Sequence, residues 1–452
     1  GPGGPGGPGG PGGPGGANAD PTDDPKFPRS FQMIPAYVIQ DNQVISRPLN
    51  YTLEGEIGPQ AARGIRFTTQ EKFINGIVVR GNSNYTISDA YFKLDGQGVN
   101  DFEGIGAAVM ATDDAELTVE NSYIETNGVI RPCTACGGRA TLHINNCQVY
   151  GNSGPFPDYY DPANPIKGPG MMEPPAGLFL GGTIRTHLSV GTTKTYYKDS
   201  HIESDSWAAL STDNGRDLYL QADNCEVVVR NVGYGVYADG GCNVVLNDCR
   251  FQTATHGGIL AGDFTAKFTG CTMRSGKYDW MCHDLAGGAD SAAPLEVRGS
   301  DCQADEACLY IKSHNIHADI ENSTLTSPKY AVHAIVNDDP DANAMPEGTV
   351  PYGNKLYLTG STINGDIVND DIRSMALVLE NSTVNGAIQG AYVELKGAKW
   401  LATKDSSVCL VHAAAIDGID APRGVTISAA VGEGTTLQGS YDLPSGGKLI
   451  VS

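Results

Sequence analysis

The chain has 452 residues, enough for one very large domain or several ordinary ones, with 52 Asp+Glu against 30 Lys+Arg and a formal net charge of −22. That acidity argues against nucleic acid and anionic membranes as partners, since both are held through Lys and Arg, and it disfavours polyanionic glycans unless a cation bridges them. No run of 18 apolar residues occurs, so no segment reads as a transmembrane helix.

Residues 1–16 read GPGGPGGPGGPGGPGG, five Gly-Pro-Gly triplets too short for a stable triple helix alone. With the linker ANADPTDDPKFP they form an arm over 1–30, a spacer through which self-association is also conceivable, and the folded body is expected over 31–452 as a single domain. The start at Gly1 without Met is consistent with a removed secretion signal.

Further on, LTVENSYIETNG (117–128) returns as IENSTLTS (320–327) and LVLENSTVNG (377–386). Alignment on the Ser of ENSYI gives one column: Ala90, Ser122, Cys147, Ser200, Cys225, Cys249, Cys271, Ser300, Ser323, Ser361 and Ser382. Several intervals are 21–25 residues and the longer ones read as a coil plus an inserted loop, which is the mark of a solenoid. Short β-rich runs between Gly, Asn and Asp clusters favour strands over helices. The column is then a corner ladder of small side chains about 4.8 Å apart. Its cysteines read as small buried groups, and the eleven cysteines, an odd number, as a mainly reduced set. CTAC (133–136) falls outside the ladder and reads as a local loop staple.

A second strand repeats in the same frame, as AAVMATD (107–113), GLFLGG (177–182), AALSTD (208–213), GVYADG (235–240), GILAGD (258–263), DWMCHD (279–284), CLYIKS (308–313) and AVHAIV (331–336). Period-2 alternation sends Val109, Leu178, Leu210, Val236, Ile259, Trp280, Leu309 and Val332 inward. It sends Met110, Phe179, Ser211, Tyr237, Leu260, Met281, Tyr310 and His333 outward. Short strands in ISAAVGEGTTLQGSYDLPSGGKLIVS (427–452) are expected to close the C-terminal edge.

On this coil period, these corner ladders and this strand pattern, residues 60–400 resemble the right-handed parallel β-helices of the pectate-lyase-like superfamily. The resemblance implies an all-β, right-handed parallel β-helix of about twelve coils, a spacing-based length of about 55–60 Å, and export to the cell surface or medium of a bacterium. It implies no activity.

The outward row is apolar and bordered by small residues (Ala108, Gly177, Ala209, Gly235, Gly258, Ala331), which suggests a shallow trough for a small-molecule or glycan ligand. Inserted loops at 151–176, 283–294 and 337–354 are placed to cover it, as a binding lid or as packing for an external core. Phe179, Trp207, Met281, Tyr310, Lys312, Tyr159 and Tyr160 are the expected substrate contacts, and Tyr237, His333, Asp213, Asp239 and His256 the expected acid/base groups. Asp213 and Asp239 share a column on neighbouring coils, where crowding would raise the pKa of one of them. The order STDNG, ADGG, THGG, YIK is similar to the Asp, Asp, His and basic signatures of β-helical polygalacturonases, with every signature incomplete.

No metal or cofactor is expected. CTAC lacks a second pair, DPDANAMPE (339–347) has Ala344 and Val350 where a calcium loop needs Gly and Glu, and HNIH (314–317) brings two imidazoles without further ligands. The leading expectation is an extracytoplasmic enzyme doing lyase- or isomerase-type proton transfer on a neutral, sugar-like or aromatic substrate. The alternatives are a glycoside hydrolase using paired Asp, and a non-catalytic surface, adhesion or scaffold protein tethered by its arm.

Overall fold

The computed structural model describes residues 33–452 apart from 101, 167–169, 285–291, 313 and 337–352. The arm 1–30, most of the 283–294 and 337–354 loops and the calcium-like segment 339–347 lie outside the described residues. Contacts divide the chain into two compact units, one ending at Phe264 and one beginning at Thr265. Each is all-β and solenoid-like, with parallel strands paired coil on coil.

In the first unit, strands Asn84–Ser88, Glu116–Glu120, Thr141–Asn145, Lys194–Lys198, Leu218–Asp223 and Cys242–Asn247 pair in parallel succession. A second row runs Tyr91–Asp95, Tyr123–Asn127, Gln148–Asn152, His201–Ser204, Glu226–Val229 and Arg250–Thr253. The third runs Ile34–Gln40, Ile74–Arg80, Val109–Ala111, Thr134–Cys136, Arg185–Gly191, Trp207–Gly215, Gly233–Ala238 and His256–Ala261. The second unit repeats the scheme, and its core row Ala266, Leu295, Ala318, Leu356, Leu377, Val393 is buried throughout. Antiparallel pairs occur towards the chain ends, at Ile34–Gln40 with Gln43–Ser46, Thr52–Ile57 with Ala61–Thr69, and Gly439–Asp442 with Lys448–Val451.

The recurrent Glu-Asn-Ser has a physical cause in the corner between the first and second rows. Asn121, Asn146, Asp199, Asn224 and Asp248 adopt φ of 50–53°, the left-handed region that Asn and Asp tolerate through their short polar side chains. The following Ser turns its hydroxyl back onto the carbonyl two residues earlier, as Ser323 does on Glu321 at 2.8 Å. It also accepts the backbone N–H of the preceding coil's column member: Ser200 from Cys147, Ser300 from Cys271, Ser323 from Ser300, Ser361 from Ser323 and Ser382 from Ser361, at 3.0–3.2 Å. A thiol takes the same place where the column is Cys, with Cys225 and Cys249 both 3.3 Å from the carbonyl two residues back. All eleven cysteines are free thiols, and all but Cys409 are buried.

Three local expectations differ from the structure. CTAC is no staple: Thr134–Cys136 is the third-row strand of its coil, paired with Val109–Ala111 and Arg185–Gly191, and both thiols are buried and free. GLFLGG is no strand; Ala176–Leu178 forms a single 3-10 turn ending in Phe179 at φ 54°, behind two prolines that supply no ladder donor. The third-row strand of that coil is Arg185–Gly191. Finally, Ile259 rather than Leu260 stands opposite Tyr237.

Inside the first unit, Thr134 and His187 replace core hydrocarbon. Thr134 Oγ1 meets His187 Nδ1 at 2.8 Å and Tyr197 Oη at 2.6 Å, and His187 Nε2 meets Ser189 Oγ at 2.7 Å. Burial pushes the His187 imidazole down to about 3, so it is neutral and serves as a packed, fully bonded polar core group.

Candidate functional site

The outward row of the first unit is closed over. Met110 is 4% exposed and packs against Val78, Ala107 and Ala135, with Met33 against the cluster. The segment 102–107 is tied across the face by Asn75, whose Nδ2 donates to Gly104 O at 3.1 Å and whose Oδ1 accepts from Gly106 N at 2.9 Å.

Next along the face lies a buried polar group. Arg185 Nη1 donates to Asp213 Oδ2 at 3.0 Å, both side chains being 3% exposed, and its guanidinium carbon lies 5.3 Å from the Trp207 ring and 5.4 Å from the Phe102 ring. Ser211 Oγ is 2.7 Å from Tyr234 Oη, and the Tyr234 and Tyr237 rings are 5.2 Å apart. Tyr237 is 4% exposed and its hydroxyl has no hydrogen-bond partner. Burial, then the nearby Asp239 and Asp213, pushes that phenol well above its usual range, so it is a donor and not a base. Asp239 is buried, with its N–H on Thr212 Oγ1 at 3.1 Å. His256 is buried beside Thr255, Nδ1 to Oγ1 2.9 Å, opposite Tyr234.

Sequence reasoning thus placed Trp207, Ser211, Asp213, Tyr237 and Asp239 in one neighbourhood and overlooked Arg185 and Tyr234. The third-row strand containing Arg185 was hidden by the insertion before it, and that displacement removed the only sequence signal for the cation. Three expected substrate contacts lie on the inserted loop. Phe179 is 59% exposed, Tyr159 Oη accepts from Gln97 Nε2 at 2.5 Å, and Tyr160 is buried with Val129, Ile130 and Met172.

In the second unit, Met281, Tyr310 and His333 do form one row, as the alternation requires. Met281 is buried, but Tyr310 and His333 are only half-buried. Tyr310 stacks on Tyr278 at 4.4 Å and His333 on Tyr330 at 4.0 Å, so the rings spend their faces on each other and offer mainly edges to solvent. His333 Nε2 contacts Asp370 Oδ2 at 2.8 Å. Lys312 is buried with its Nζ 5.9 Å from the Tyr310 ring.

Pairs of this kind also occur on other exterior rows. His143 contacts Glu116 at 2.9 Å while stacking on Tyr196, and His201 contacts Glu203 and Glu226 at 2.9 Å beside Tyr150. No group of three or more His, Cys, Asp or Glu side chains among the described residues is arranged to hold a metal. His314 is buried, with Nδ1 3.0 Å from Asn315 O.

No known protein family matches the chain, and no curated protein matches it in sequence.

Proposed function

We propose that the chain is a right-handed parallel β-helix of about twelve coils, exported by a bacterium, that acts as a rigid non-catalytic surface scaffold with its Gly-Pro-Gly arm as tether. One observation carries this reading. The outward side chains that would line a substrate trough are spent on packing, with Met110 and Tyr237 4% exposed and Met281 3% exposed. The paired-Asp hydrolase has less support, because Asp213 is held by Arg185.

A second reading, acid/base chemistry of lyase or isomerase type on a neutral sugar-like or aromatic ligand, is favoured by the half-buried Tyr310 and by His333 bonded to Asp370.

The test compares Tyr237 variants and screens ligands. Tyr237→Ala should cost about 3–5 kcal/mol in chemical denaturation, as for a buried aromatic, and Tyr237→Phe should cost nothing because the hydroxyl is unbonded. A melting-temperature screen against neutral sugars and phenols should show no saturable shift. A shift that disappears in His333→Ala would replace the scaffold with the enzyme reading.

A further inference from the structure

Three arginines among the described residues are almost wholly buried: Arg185, held by Asp213, and Arg131 and Arg373, which meet opposite circumstances. Arg131, 0% exposed, spends its guanidinium on four backbone carbonyls: Gly106 O from Nε, Asp95 O from Nη1, and Glu71 O and Ile74 O from Nη2. It is a staple with every nitrogen used.

Arg373, 1% exposed in the second unit, has a single polar contact for its guanidinium among the described residues, Nη1 to Asp371 Oδ2 at 3.4 Å. Its Nε and Nη2 have no hydrogen-bond partner among the described residues. Those two nitrogens form one edge of the planar group, the parallel N–H fork that matches the two oxygens of a carboxylate. A guanidinium cannot shed its proton to escape the mismatch, so a buried and unpaired fork calls for an acceptor.

A second donor without a partner among the described residues sits on the neighbouring coil, joined to the Arg373 segment through the backbone. Asn354 is 0% exposed, its Oδ1 accepts Ile316 N at 2.7 Å, and its Nδ2 has no partner. Its backbone N–H bonds Ser374 O at 2.7 Å, on the residue following Arg373. The unsatisfied side-chain groups of Arg373 and Asn354 are thus donors, which selects an oxyanion over a cation.

We propose that the Arg373 fork is a binding site for the carboxylate of a small organic acid, with Asn354 Nδ2 as an accessory donor. The site goes beyond the scaffold reading and does not depend on it. The fork can take two oxygens of either a carboxylate or a phosphate. Charge decides between them: Asp371, 3.4 Å from Nη1, repels a second negative charge and so favours a monoanionic carboxylate over a phosphate dianion.

The test uses the full chain labelled with 15N-arginine. Acetate is titrated at constant ionic strength against chloride, with inorganic phosphate in a parallel series, and the Nε–H resonances are followed. The Arg373 resonance is assigned by its loss in Arg373→Lys or, should that variant not fold, by its NOE to the Ile372 amide. The expected result is a saturable acetate shift at Arg373, none at Arg131, and a weaker response to phosphate. In a folded Arg373→Lys protein, acetate affinity should fall at least about tenfold, since the ammonium keeps the charge and loses the fork. An Arg373 resonance that contacts only water and ignores acetate overturns the site, as does unchanged acetate affinity in the lysine variant.

Discussion

The third strand row presents its outer face in both units, and the two faces are used differently. In the first unit, Met110, Ser211 and Tyr237 are buried and the ion pair Arg185–Asp213 is sealed at 3% exposure on each side. In the second, Tyr310 and His333 are half-buried and the His333–Asp370 pair is exposed at 18% and 60%. Alternation along a strand decides which way a side chain points; it does not decide whether water or protein lies there. In the first unit Asn75 anchors a covering segment, and residues that point out become core.

The sharpest way to break this comparison is to cut each ion pair. Asp213→Ala strands a buried guanidinium and should cost about 3–5 kcal/mol in urea denaturation, whereas Asp370→Ala should stay within about 1 kcal/mol. Equal losses would mean that the two faces are packed alike.

A pH profile sharpens it further. Burial pushes the Glu103 carboxyl up to about 8, next in sequence to Phe102 on the covered face, and its Oε1 has no partner. A raised folded-state pKa means that the unfolded chain releases this proton first. The associated stability is full below about 4.5 and is lost as pH rises towards 8. Glu103→Gln should therefore flatten the decline in melting temperature between those limits, with the two proteins converging at low pH. A parallel decline in both would put the carboxyl in water.

The smallest effect is expected at the corner. Cys249→Ser should fold and melt within a few degrees of the parent in calorimetry, because Ser200 already fills the same position in that unit. Loss of the fold would show that the thiols do more than pack.

Much of this architecture was legible beforehand. The spacing from Ser122 through Ser382 reports a corner whose geometry recurs every coil, and that geometry tolerates few residue types. Rows such as Met281, Tyr310 and His333 followed from period 2 alone. Where an insertion intervened, the frame was lost: Thr134–Cys136 and Arg185–Gly191 are too polar to resemble their neighbours, because Thr134 and His187 bond to Tyr197 and Ser189 inside the coil. Site residues were less legible still. Phe179 and Tyr237 look alike on an aromatic row, and only the tertiary fold leaves one 59% exposed and the other 4%. Arg373 carries no sequence signal, since its distinction is two guanidinium nitrogens left without a partner among the described residues.

The corner hydroxyls also give each stack a direction. The amide of Ser300 is satisfied by Ser323, that of Ser323 by Ser361, and that of Ser361 by Ser382. Each of these coils is therefore completed by its successor, and the latest of them to form carries an open amide. Within either unit, order spreads between nearest neighbours much as a zipper closes. A chain emerging from its N-terminus would hold its growing end one bond short until the next corner Ser arrives, so the corner couples each of these coils to the one that follows as well as spacing the strands.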